Sequence, residues 1–497
     1  MSAIVENRAV LHRITRGLLP IGLPLLLHVF VCLGWYQYGL RPDEMDRLRV
    51  AGPSHLITPY VRAVKVFGPL GAIRAFLRGE QDERLYLEYA KLALVGHADI
   101  HFIAERQNAR ELAEAPLPAR AWPYRDVRVE YPPLAFLAIL PPALLSFDYR
   151  TYRYAFAGYM LLLHLLNLWM ATRLLRRAHP PDAGDAPTTE RATSRTLYLS
   201  VGFLFALGSV VVTRMDHLVV TATLAVLLAF ERGQHAPAAH GVVWATFTGA
   251  LTGLGVMTKL VPGLAGVAVC ALWWTSHTHS RVARVLACAS ACVAVLAAFN
   301  VALYAFAGDA YIATFRYHSL RGVQLESLWA GAIMLLRPFG FAMQIDDSFG
   351  STNLASAATT LVKPLSLAAF AVVAAYLVFG RRFAADGRGA LVLTSALLLA
   401  FMLTQRVFSP QYLIWIGAPL CVLASEQRPL RRGFWLFFGA ILLSQLIFPR
   451  GYPLLKALHP LGIALLNLRN LLLIAFGVWL VRRESLPRST PNPARST

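Results

Sequence analysis

The sequence predicts an all-α polytopic membrane protein, with about twelve transmembrane helices in a single domain spanning 1–497. Three observations carry this. Of the 497 residues, 57% are hydrophobic and only 15% charged, against roughly 45–50% and 25% in soluble domains. The apolar runs are helix-length and lack the roughly ten-residue alternation of a membrane barrel. The net charge of +20 is scattered in short clusters between those runs. That scatter excludes a nucleic-acid-binding domain and fits membrane topology instead.

The first run, 18–38, follows Arg8, Arg13 and Arg16 and is not followed by a small-residue cleavage site. It is expected to be an uncleaved signal anchor with the N-terminus inside. Further spans are expected near 152–174, 197–213, 217–231, 241–257, 260–275, 283–306, 360–380, 389–404, 411–425, 433–448 and 461–481. With the N-terminus inside, the inner loops hold Arg173/Arg176/Arg177, Arg281/Arg284, Arg381/Arg382/Arg388, Arg428/Arg431/Arg432 and Arg482/Arg483. That alternation satisfies the positive-inside rule and leaves the C-terminus inside. The loop 175–196 and the tail 484–497 read as disordered cytoplasmic segments. Cys32, Cys270, Cys288, Cys292 and Cys421 all lie in apolar runs without CxxC spacing, so they read as small hydrophobes rather than a disulfide or zinc framework.

This topology places a first outer loop, 39–147, and every unusual polar stretch on one face. The stretches are "QDERLYLEYAKLALVG" (81–96), "YRDVRVEYPP" (124–133), "TRMDH" (213–217), "MTKLVPG" (257–263), "FRYHSLRGVQLESLW" (315–329) and "QRVFSPQYLIW" (405–415). Within the first loop, Pro132-Pro133 favours an extended entry into a new helix. The segment 131–147 is too short to span, so a juxtamembrane helix in the outer leaflet is expected, with Tyr131 at the headgroups. A lone pair such as Asp346-Asp347 gives no metal signal.

The ordered blocks are Asp82-x3-Tyr86-x2-Tyr89-Ala90 with Gly96, Pro123-Tyr124-Arg125-Asp126 with Glu130-Tyr131-Pro132-Pro133, and Arg214-x-Asp216. Gly253 with Lys259-x2-Pro262, His318-x2-Arg321-Gly322-x-Gln324-x-Glu326-Ser327 and Ser409-Pro410-Gln411-Tyr412 follow. Together, from about Asp82 to Pro419, they resemble glycosyltransferase family 87. The resemblance implies a GT-C fold, a polyprenyl-phosphate-linked sugar donor, mannose by the family's habit, and a lipid or glycan acceptor on the outer face. It further implies an acidic residue of the first outer loop as catalytic base; these motifs do not imply a metal requirement, and no metal or cofactor is assigned. Residues 97–122 depart from the family pattern, in which the first two blocks are closely joined.

Glycosyl transfer from a polyprenyl phosphate needs a base, cations for the leaving phosphate and a sugar pocket. Asp82 is the candidate base, sharing a helix face with Tyr86 and Tyr89; the alternative is a helix N-cap. Lys259 interrupts two apolar runs and, with Arg214, Arg321, Arg406 and His318, is assigned to the donor phosphate; interfacial anchoring is the alternative for each. Tyr86, Glu130, Tyr131, Gln324, Glu326 and Gln411 are assigned to sugar and acceptor, with Asp216 able to pair with its neighbour Arg214. The competing function is a transporter or flippase for a lipid-linked or anionic solute, disfavoured because polarity gathers on one face and no internal repeat is visible. The expected partners are the donor, the acceptor and membrane lipids, in a plasma or inner membrane with the site facing outward, and no nucleic acid.

Overall fold

Helices stand at all twelve predicted spans in the computed structural model, which describes residues 21–29, 31, 82–107, 117–178, 186–237, 240–276, 280–426 and 428–485. Part of the first predicted span is seen at 21–29 as α1, while 32–81, Cys32 included, lies outside the described residues. Two helices of the first loop follow: α2 (Asp82–Val95) and α3 (Ile100–Gln107). Gly96 turns the chain out of α2 at φ 76°, in the left-handed region that a helix end uses, and its carbonyl accepts the Ala121 N–H at 3.0 Å.

Pro132-Pro133 leads into a 3₁₀ turn, Pro133–Ala135, and then α4 (Phe136–Ala143). At 1.5 Å per residue this segment is too short to cross a bilayer of ~30 Å. It lies against α2 and the next helix, α5 (Tyr149–Ala178), through Ala138, Ile139, Tyr86 and Phe156.

The bundle continues with α6 (Ala186–Leu207), α7 (Asp216–Gln234), α8 (Gly241–Val256), α9 (Gly263–Thr275) and α10 (Arg281–Ala307). Helix α8 approaches α10 so closely that a Cβ on Gly249 would lie 2.0 Å from the Cys288 carbonyl oxygen, which only glycine permits. Then come α11 (Asp309–Leu320), α12 (Leu328–Met334), α13 (Thr359–Phe379), α14 (Gly387–Thr404), α15 (Ile414–Glu426), α16 (Arg428–Gln445) and α17 (Pro460–Glu484). Side-chain caps fix several starts: Ser327 accepts from the Ala330 N–H and Asp386 from the Gly389 N–H. Pro460 opens α17, where its missing N–H costs nothing.

Among the described residues, six helices are long and apolar enough to cross a membrane: Tyr149–Arg177, Arg281–Ala307, Thr359–Phe379, Gly387–Thr404, Leu430–Phe448 and Pro460–Glu484. Their sides differ. The apolar window of Gly387–Thr404 is 83% buried, whereas that of Arg281–Ala307 is 6% buried. The first is the centre of the bundle, and the second offers its flank to lipid.

One sequence expectation needs correction. Helix α5 reaches Ala178 and α6 starts at Ala186, so most of 175–196 is helical rather than disordered; only 179–185 lies outside the described residues. Pro187 at the first turn and the "TTERATSRTLYL" run that follows extend the span inward as a helix. The tail departs less: α17 ends at Glu484, and 486–497 lies outside the described residues. The helical chain also carries a small antiparallel sheet. It has β1 (Val323–Gln324), β2 (Gln344–Ser348) and β3 (Ser351–Ala355) in the order β1-β3-β2, with Gln324 opposite Asn353 and Asp346 opposite Asn353 on the other side.

Candidate active site

The six polar stretches meet at one end of the bundle. Arg214 ends the short helix Val210–Thr213 in extended conformation (φ −122°, ψ 142°), and Asp216 begins α7. Each has a partner from another part of the chain. Arg214 forms an ion pair with Asp82 at the start of α2, and Asp216 accepts from Lys259 Nζ at 2.7 Å. Asp216, 1% exposed, also accepts from the Trp415 indole N–H at 2.6 Å. Lys259 Nζ lies 5.3 Å above the Tyr412 ring and 5.2 Å from the Trp415 ring, while those two rings stack at 4.2 Å. Lys259 therefore turns inward onto a carboxylate and two aromatic faces rather than outward to water.

Asp82 is 6% exposed and carries two guanidinium partners, Arg214 and Arg106. Arg106 belongs to α3, inside the 97–122 segment that departs from the family pattern. Its neighbour Gln107 is fully buried, donates to Tyr89 Oη at 2.5 Å and accepts from Arg128 Nε at 3.1 Å. The extra segment is thus built into the site. Glu83, beside Asp82, faces the other way: Arg153 Nε lies 2.9 Å from its carboxylate, and burial pushes its pKa up to about 7.

Burial also pulls Arg214 down to about 10, opposed by the nearby charge of Asp216, Tyr412 and Glu326; it remains a cation at neutral pH. Arg321 is close enough to Arg214 and to Arg406 for like charges to be felt. Arg406 donates to the backbone carbonyls of His318 at 2.8 Å and Ser319 at 3.0 Å, and its own carbonyl accepts from the Gln324 N–H at 2.9 Å. His318 Nε2 contacts the Glu130 carbonyl at 2.8 Å, which ties α11 to the first loop. Arg214, Lys259, His318, Arg321 and Arg406 thus lie near one another.

The remaining assigned residues divide. Tyr86 is 1% exposed, with its ring edge-on to Tyr131 at 5.9 Å; burial holds both phenols well above their usual pKa, so they stay protonated. Glu326 is 2% exposed and accepts from Gln324 Nε2 at 3.3 Å. Burial pushes its pKa up to about 8, against the pull of Arg469 and Arg214. Gln411 accepts from the Ser409 hydroxyl at 3.0 Å at the edge of the group. The aspartate pair of β2 stands apart: Asp347 meets Lys456 at 2.7 Å on the surface.

The model of glycosyltransferase family 87 matches residues 130–410, more than half of the chain. The chain belongs to glycosyltransferase family 87. It is therefore a glycosyltransferase set among membrane-spanning helices. Its structure is similar to the crystal structure of ArnT from Cupriavidus metallidurans bound to undecaprenyl phosphate, at 14% identity and a TM-score of 0.43, covering 82% of this chain and 73% of that one. No curated protein matches.

The candidate site extends beyond the matched family segment on both sides. Asp82 precedes it, and Arg469 of α17 follows it. Sequence reasoning missed Arg469, although the signal was present: a lone arginine inside the apolar run "LGIALLNLRNLLLIAFGVW". Arg106 had no such signal, because nothing local distinguishes it from other arginines of the first loop. Trp415 is 2% exposed and holds Asp216.

Proposed function

We propose that this family 87 glycosyltransferase moves a sugar, mannose by family resemblance, from a polyprenyl-phosphate-linked donor to a lipid or glycan acceptor on the outer face of a cell membrane. One observation carries the donor class. Around Asp82 and Asp216 the cations outnumber the carboxylates: Arg214 and Arg106 share Asp82, Lys259 takes Asp216, and Arg321 and Arg406 make no ion pair among the described residues. Arg321 Nε is buried without a hydrogen-bond partner. Such an excess at the mouth of a membrane bundle suits an anionic group delivered from the bilayer.

In this mechanism Asp82 takes the proton of the acceptor hydroxyl as its oxygen attacks the anomeric carbon. The bond from that carbon to the phosphate oxygen breaks, and its electron pair leaves with the polyprenyl phosphate. The growing phosphate charge is met by Arg214, Lys259, Arg321 and Arg406, with His318 at the rim. Preorganised cations stabilise such a developing charge more than the ground state. Asp82 must exchange Arg106 or Arg214 for the acceptor hydroxyl before it can act. Tyr86, Glu130, Tyr131, Gln324, Glu326 and Gln411 surround the sugar and acceptor.

The test is binding of a polyprenyl phosphate to the purified protein in lipid nanodiscs. Arg321→Gln should weaken it by about tenfold, the ~1.4 kcal/mol of one charge-assisted contact. Unchanged binding in Arg321→Gln and Arg406→Gln alike would remove the phosphate from this end of the bundle.

A further inference from the structure

Arg469 sits nine residues into α17, about 14 Å along the helix from Pro460. It is 1% exposed. One terminal nitrogen donates to the Glu326 carbonyl, and the guanidinium carbon lies 4.2 Å from the centre of the Phe408 ring. The N–H groups on Nε and the other terminal nitrogen have no hydrogen-bond partner among the described residues. A guanidinium is always charged and carries five donors, so leaving donors unmet in a buried site is costly. A charge inside a membrane helix marks a functional position by default.

Its surroundings repeat the pattern. Asn470, also 1% exposed, has neither amide atom partnered among the described residues, and Gln324, 7% exposed, leaves its carbonyl oxygen unpartnered. Glu326 connects them: Gln324 donates to its carboxyl, Arg469 holds its backbone, and both Arg469 and Arg214 act on its charge. Glu326 therefore bridges from the partner of Asp82 to Arg469.

Arg469 and Lys259 are linked through a row of aromatic rings. Between them stand Tyr412, 5.3 Å from Lys259 Nζ, then Phe408 at 6.3 Å from Tyr412, then Arg469 on the Phe408 face. The part of the donor that extends from a phosphate at Arg214 toward Arg469 is its sugar. A hydroxyl both donates and accepts, which matches an N–H donor beside a carboxyl acceptor.

We propose that Arg469 and Glu326 form the sugar subsite of the donor, Arg469 donating to a ring hydroxyl and Glu326 accepting from it. The proposal rests on the polyprenyl-phosphate reading above. Arg469 is then a specificity-determining residue supplied by the last helix.

The test compares two ligands on the full-length protein in nanodiscs: a polyprenyl-phosphate sugar, and the same polyprenyl phosphate without sugar. Arg469→Met should weaken the sugar-bearing ligand about tenfold or more, as a lost charged hydrogen bond does, and leave the sugar-free ligand within about twofold. Arg321→Gln should weaken both equally. Should Arg469→Met fail to fold, Glu326→Gln with a series of deoxy-sugar donors takes its place. One deoxy donor should then bind wild type as weakly as the variant binds the parent sugar. Equal losses for both ligands in Arg469→Met would place Arg469 at the phosphate, and no loss for either would make it structural; each overturns the proposal. If wild type binds neither ligand, the donor reading fails as well.

Discussion

The Lys259–Asp216 pair makes a prediction that separates support of the fold from binding of the donor. Asp216 is 1% exposed at its side chain and Lys259 19%, with 2.7 Å between the charged atoms. Removing one partner of a buried pair costs about 3–5 kcal/mol, because the other charge is stranded. Two features place Lys259→Gln near the lower end, at about 3 kcal/mol: the lysine is partly exposed, and Asp216 keeps the Trp415 N–H at 2.6 Å. Asp216→Asn should cost a similar amount. The double variant strands no charge and should cost about 1 kcal/mol, a coupling of several kcal/mol between the two sites. Equilibrium unfolding in mixed micelles of wild type, both single variants and the double gives that coupling directly. Polyprenyl-phosphate binding on the same proteins gives the second half. It should fall about tenfold in Lys259→Gln and stay low in the double, since stability returns but the cation does not. Additive single effects, with coupling under about 0.5 kcal/mol, would refute the pairing and return Lys259 to solvent. Recovery of donor affinity in the double would refute its role at the phosphate.

Asp82→Asn cannot accept a proton and should lower turnover by about 100-fold or more, with donor affinity unchanged or tighter because Arg214 is released; steady-state transfer at saturating donor reads this. Glu326 is held protonated in the fold, so its stabilising contribution is complete below the ordinary glutamate range and is lost as pH rises through about 8. Wild-type thermal stability should therefore fall from about pH 5 to about pH 9, and fall less in Glu326→Gln. Glu83, pushed up to about 7, adds to both profiles, so the difference between the two proteins isolates Glu326. Cysteines placed at Ser194 and Ser319 should react with an impermeant reagent from opposite sides of the membrane; labelling from one side would undo the outward placement of the site.

The helices were legible because the bilayer leaves them little freedom in length or polarity, and six of them among the described residues are long and apolar enough to cross. Lys259, Arg214, Arg321 and Arg406 were legible for the same reason, since charge is conspicuous where apolar residues are the rule. Their partners were not. Arg214 and Asp216 are two apart in sequence, but one is extended and the other opens a helix, and each finds an ion-pair partner far along the chain. Asp216 instead meets Lys259, which is 43 positions away. Arg106 reaches Asp82 from a segment outside the family pattern, and only the packed fold reveals that contact. The sheet was hidden because β1 has two residues and "QIDDS" of β2 carries no apolar alternation. Helix α6 began earlier than hydropathy suggested, since a polar helical extension leaves no hydropathy signal.

Sugar transfer itself is the most direct measurement. Purified protein in nanodiscs would be given a panel of labelled polyprenyl-phosphate sugars together with native lipid extract as acceptor, beside the Asp82→Asn variant. Label from one donor should move into the acceptor fraction, with sugar-free polyprenyl phosphate released in equal amount, and the variant should leave the donor intact. Label that stays on every lipid donor, while a nucleotide-sugar control transfers, would contradict the account.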